Sequence, residues 1–202
     1  DVQLAVPLGL REMLKGKSGA VFGRLSTMPE IRNNNGRRLF AQVTPYQVHV
    51  KLGHFSSLVW VVDMATGAAV EGARVQLYPQ AFTTMSVPQD VRAQGVTDAS
   101  GVAVLPGSAA LDSDLSISSH YKDDETHLFV QVRKGEAQAL LPLTYAFNIN
   151  SWRFTGSLSV YPNNKKRYGH MRSWGTTAQG IYRAGDTIDY KIYVRNQDDN
   201  GF

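Results

Sequence analysis

Apolar residues in this chain recur at every second position, in short segments that end at Gly, Asp, Asn or Pro. An extended strand points alternate side chains to opposite faces, so this spacing commits the chain to half-buried β-structure. Gln47 to Leu52 sets Val48 and Val50 against polar neighbours, and Leu128 to Lys134 alternates in the same way. Leu58-Val59-Trp60-Val61-Val62 is continuously apolar, which predicts a strand covered on both faces with Trp60 in the core. Further strands are expected at Ser18 to Thr27, at Val70 to Leu77 with a bulge at Gly72, and at Ala137 to Leu143. Two more fall at Gly156 to Tyr161 and over Ile188 to Val194. Gln94 to Leu105 reads as a hairpin around Asp98-Ala99-Ser100-Gly101, whose Gly can supply a positive φ. The best helix candidate, Leu8 to Lys15, is only about two turns long.

Counted in this way, residues 41–150 hold about seven short strands at regular spacing, the pattern of an antiparallel β-sandwich. Glu30 to Arg38, with three Asn before a Gly, is the best linker in the chain. A weak repeat supports a second domain of the same type. Leu52-Gly53-His54-Phe55 precedes an apolar strand that runs to Asp63 and Gly67, and Ala184-Gly185-Asp186-Thr187 precedes one that runs to Asp198 and Gly201. The expected division is residues 1–30 as the end of one domain, 31–40 as linker, 41–150 as a complete sandwich and 151–202 as the start of the next. The N-terminus, DVQLAVPLGL, has neither an initiator Met nor the basic start of a signal peptide, so the chain is expected to be a window on a longer array.

Composition narrows the chemistry. With no Cys, the chain has no disulfide, thiolate metal site or cysteine nucleophile. The formal charge of +4, read as spread along the chain, keeps it soluble without pointing to nucleic acid. No apolar run reaches the roughly 20 residues of a membrane helix. His49 and His54 fall on opposite faces of an extended segment, and HYKDDETH, His120 to His127, reads as a solvated hairpin tip rather than a metal loop. There is no G-x-S-x-G elbow and no phosphate-binding Gly loop. No catalytic residue, cofactor or metal is therefore assigned. One stretch can hold a ligand: Lys165, Lys166 and Arg167 with Tyr168, His170, Arg172 and Trp174 interleave cations and rings, as polyanion sites do. The bland alternative is a solvated loop between strands.

The segment GIYRAGDTI, Gly180 to Ile188, resembles the "IYRPGETV"-type start of a macroglobulin domain, and Met171 to Asp198 is similar to the bacterial α2-macroglobulins in particular. KLGHFSSLVWVVDMATGAAVEGARVQL and GVTDASGVAVLPG resemble the preceding macroglobulin domain of those proteins, and LKGKSGAVFGRL the end of the one before. Ala184 stands where Pro is common. The resemblance implies an all-β tandem of fibronectin-III/Ig-like macroglobulin sandwiches in a periplasmic protein, often tethered to the inner membrane, that traps proteinases. It implies a scaffold role for this region, with proteinases, neighbouring macroglobulin domains and periplasmic or inner-membrane proteins as partners and no nucleic acid. The alternative class is a sandwich binding module, an adhesin or glycan/polyanion binder. Trp152, beside a domain transition, and Tyr182, Arg183 and Asp186, at the strand entry, are the expected interdomain contacts. Arg183 and Asp186 are expected to pair across their turn.

Overall fold

The alternating segments become strands in the computed structural model, which describes residues 7–26, 28–29, 37–85, 88–117, 125–144, 147 and 171–196. In chain order these are β1 (Gly19–Leu25), β2 (Arg37–Val43), β3 (Tyr46–Leu52), β4 (Ser56–Asp63), β5 (Arg74–Gln80), β6 (Ala93–Val96) and β7 (Val102–Pro106). They continue as β8 (His127–Lys134), β9 (Ala137–Pro142), β10 (Met171–Thr177) and β11 (Tyr190–Asn196). Among the described residues the two α-helices, α1 (Leu10–Met13) and α2 (Ser108–Leu111), are single turns. The expected helix at residues 8–15 thus shrinks to its middle, and the strand expected at residues 156–161 lies outside the described residues. The chain divides into two compact units, residues 1–150 and 151–202.

In the first unit β3-β4-β7 form a three-stranded antiparallel sheet and β6-β5-β8-β9 a four-stranded one. This is the strand order of a fibronectin type III-like sandwich, and the seven strands expected for residues 41–150 are all present. The shared core takes Val59 and Val61 from β4, Val75 and Leu77 from β5, Ala103 and Leu105 from β7, and Val130 and Val132 from β8. Taking each of the Val and Leu side chains out of water stabilises the fold by about 1.5–3 kcal/mol.

Two expectations about this core are corrected. The Asp98–Gly101 turn is present, closed by the Gly101 N–H donating to the Asp98 carbonyl at 2.9 Å. However, β6 pairs with β5 and β7 pairs with β4, so the turn carries the chain from one sheet to the other instead of closing a hairpin. A turn signal fixes the reversal of the chain and leaves open which partner each strand chooses. The second correction concerns β4. Ser57, Val59 and Val61 are buried, whereas Leu58 and Trp60 point outward, with Trp60 42% exposed and stacked on the His49 ring at 5.2 Å. Trp60 is not a core residue, because the described residues place no layer over this face. Gly72, with φ +71°, belongs to the turn before β5 and not to a bulge within it.

The strand covered on both sides is β8, whose first four residues are all buried. Its outward Phe129 packs with Tyr78 and Phe82, and Phe22 of β1 and Phe40 of β2 close over them. Phe22 lies 5.1 Å from Phe82 between ring centroids, and Phe40 meets Phe82 edge-on at 5.9 Å. β1 and β2 pair antiparallel from Gly19↔Val43 to Leu25↔Arg37, so β2 begins inside the stretch read as a linker. This hairpin also closes the outer edge of β9. The Gln138 N–H donates to Ser18 Oγ at 2.8 Å and the Leu140 N–H to Gln42 Oε1 at 3.0 Å. An edge strand left with bare N–H groups invites pairing with another chain, and these two side chains remove that invitation.

In the second unit β10 and β11 form a two-stranded antiparallel sheet, in register from Met171↔Asn196 to Thr177↔Tyr190. Tyr190, Ile192 and Val194 share one face, as the alternation requires, and all three are exposed.

Candidate functional site

The chemistry-bearing residues fall in three places. The first is the pair of acidic turns of the sandwich. Asp63 Oδ1 accepts from the N–H groups of Ala65 and Thr66 at 3.0 and 2.9 Å and from the Thr66 hydroxyl at 2.9 Å. Asp98 Oδ1 accepts from the Ser100 hydroxyl at 2.6 Å and from the N–H groups of Ser100 and Val102, both at 2.9 Å. Donors aimed at a carboxylate favour its charged form. The Thr66 N–H chiefly, then its hydroxyl, hold the Asp63 carboxyl below its ordinary range. The Ser100 hydroxyl, then the Val102 N–H, do the same for Asp98. These carboxylates are committed to closing turns, and neither is placed for proton transfer.

The described histidines form a second set, carried on separate elements. His49 lies on the outer face of β3, against Trp60. His54 Nδ1 is 3.3 Å from the Ser108 hydroxyl, with Phe55 edge-on at 4.8 Å. His127, expected at a solvated tip, is only 2% exposed and lies 6.0 Å from the Phe82 ring. His127 already opens β8 and is covered there, so it is not part of a solvated tip. His120 and His170 lie outside the described residues. Among the described residues no three of His, Asp and Glu converge as a metal cage.

The third place is the second unit. Tyr182 is half-buried, and its hydroxyl accepts from the Gln179 N–H at 3.0 Å. Asp186 Oδ2 accepts from the backbone N–H of Arg183 at 2.8 Å, and the Asp186 N–H returns a bond to the Arg183 carbonyl at 3.1 Å. The expected pairing across the turn therefore runs through the Arg183 backbone and not its guanidinium. Gly185, at φ +95°, supplies the left-handed residue that closes the turn. Trp152, Lys165, Lys166 and Arg167 lie outside the described residues.

Sequence reasoning missed a cluster on the β10–β11 sheet. Trp174 and Tyr193 are register partners, and their rings stack 5.3 Å apart and 12° from parallel. The Lys191 ammonium lies 5.0 Å from the Tyr193 ring centroid. Trp174 stands out in the sequence, but its partner lies nineteen residues further on and only strand pairing unites them. The charge is not spread as expected either. Residues 1–150 carry thirteen Lys and Arg against thirteen Asp and Glu, whereas residues 151–202 carry eight against four. The whole net charge of +4 therefore belongs to the second unit.

No family model matches the chain, and no curated protein matches it significantly. Among solved structures it is similar to native alpha-2-macroglobulin from Escherichia coli spanning domains NIE-MG1, at 19% identity and a TM-score of 0.40, over 69% of this chain and 55% of that one. It is also similar to the same protein spanning domains MG0-NIE-MG1, at 18% identity and a TM-score of 0.43, over 70% of this chain and 38% of that one. The chain thus spans less than two thirds of either structure. Among the described residues no helix is long and apolar enough to cross a membrane.

Proposed function

We propose that this chain is a scaffold segment of a macroglobulin-type, proteinase-trapping protein of the bacterial periplasm, and that it performs no chemistry of its own. Residues 41–150 are its complete sandwich, residues 1–30 close the domain before, and residues 151–202 open the next. Its task is to hold neighbouring domains in fixed geometry, so that a cut in a distant bait segment becomes a rearrangement around an attacking proteinase. Trp152, Tyr182, Arg183 and Asp186 are the proposed contacts between neighbouring domains.

The observation that carries the scaffold role is the docking of the β1–β2 hairpin. Phe22 and Phe40 bury Phe129 and Tyr78, while Ser18 and Gln42 take up the free N–H groups of β9. A segment held by ring packing and side-chain hydrogen bonds transmits a displacement, which a flexible tether would absorb. The GIYRAGDTI motif supports the macroglobulin identity. Fold-level likeness alone does not assign a function, so the trapping step needs its own test.

That test is made on the full-length protein, incubated with a broad-specificity proteinase. Cut sites are mapped by mass spectrometry, and retained proteinase is assayed on large and small substrates. One dominant cut outside residues 41–150, with the proteinase retained and shielded from large substrates, is the expected result. Scattered cuts and no retained proteinase would overturn the trapping role.

A further inference from the structure

Four side chains on one face of the β10–β11 sheet remain unused by the scaffold role. Trp174 and Tyr193 stack as register partners, and Lys191 and Arg195 stand two residues to either side of Tyr193, so the strand alternation places all four together. Trp174 is 51% exposed, Lys191 and Arg195 are exposed, and Tyr193 is half-buried beneath the Lys191 ammonium. Asp189, just before the strand, is the nearest acid to Lys191 in sequence, and among the described residues it forms no ion pair with either cation; Asp198, the nearest to Arg195, lies outside the described residues. The patch also sits in the unit that carries the chain's entire net positive charge.

We propose that this face binds an anionic polysaccharide, with a sugar ring lying flat on the exposed indole of Trp174 and its acid groups met by Lys191 and Arg195. An indole offers a broad apolar plate that suits the C–H face of a pyranose. Two cations flanking that plate select acidic sugars over neutral ones by charge complementarity. The geometry favours a glycan over single-stranded nucleic acid. Bases bind by stacking in succession on separated rings along a basic groove. Here the two rings already stack on each other, 5.3 Å apart, and leave no slot between them.

The test is calorimetric titration of the 202-residue chain. The probe is a size-defined galacturonic acid oligosaccharide. A neutral oligosaccharide of equal length, a single-stranded oligonucleotide and inorganic polyphosphate serve as the other arms. Saturable binding of the uronic acid probe is expected, weakening as salt rises. Trp174→Ala should weaken it about tenfold while Trp174→Phe stays within about threefold, because the plate and not the indole N–H does the binding. The double variant Lys191→Gln with Arg195→Gln leaves the ring pair intact, so it carries the test even if Trp174→Ala perturbs the sheet. It should weaken binding about tenfold and flatten the salt dependence. Any of three results would overturn the proposal: no saturable binding, oligonucleotide or polyphosphate bound as tightly as the uronic acid, or a double variant that binds like the parent.

Discussion

β8 and β11 begin from the same sequence pattern and end in opposite surroundings. In LFVQVRK and YKIYVRN the first, third and fifth residues are apolar, yet Val130 and Val132 are 0% exposed while Ile192 and Val194 are each 60% exposed. The difference lies in what faces them. β8 sits centrally in a four-stranded sheet with a second sheet on one side and the β1–β2 hairpin on the other, whereas β11 has β10 alone as its described neighbour. Alternation therefore specifies that a face exists without specifying what covers it, and two strands are too few to bury one.

The sharpest way to break this comparison is to truncate matched apolar residues. Phe129→Ala should cost about 3–5 kcal/mol in urea unfolding and Leu77→Ala about 2–5, because each empties a filled site. Ile192→Ala should stay within about 0.5 kcal/mol, as exposed positions do. Equal losses at Phe129 and Ile192 would mean that β11 is covered as well. Next in size is Gly101→Ala. Its φ of +78° suits glycine, and an added Cβ would lie 2.5 Å from the Val61 carbonyl oxygen, so a loss of about 1–3 kcal/mol is expected. Ser57→Ala should act in the opposite direction. Among the described residues the buried Ser57 hydroxyl has no hydrogen-bond partner, and its removal should raise stability by about 1 kcal/mol.

The last prediction concerns pH. Burial pushes the Tyr78 hydroxyl from its usual 10.0 up to about 12. A group whose folded pKa is raised contributes stability in full below its unfolded pKa and loses it as pH climbs through the folded value. Stability should thus fall between about pH 10 and 12, and Tyr78→Phe should shallow that fall, with Ile192→Ala as the neutral control. An identical alkaline limb in Tyr78→Phe would remove Tyr78 from the account.

The sandwich was legible because its signals are local. Val48 and Val50 alternate, Asp63 and Asp98 close turns within a few residues, and Gly101 sits where a positive φ is required. The misreadings concern partners that are distant in sequence. Trp60 and its neighbours look like a strand buried twice over, and Leu128 to Lys134 looks buried once, but the hairpin covers β8 and leaves β4 open. Phe22 and Phe40 cause that exchange from far away in sequence, and no period in the sequence announces them. The Asp98 turn misled for the same reason, since its flanking strands take partners in different sheets. The candidate binding face was half legible. Trp174 stood out, whereas Tyr193 and Lys191 joined it only once the register of β10 and β11 was known.

The scaffold claim is tested most directly by amide hydrogen exchange on the full-length protein, intact and after proteinase cleavage. A scaffold moves as a body, so the amides of β4, β5 and β8 should keep the same protection in both states. Loss of protection in those strands on cleavage would show that the sandwich itself opens, and would contradict the account.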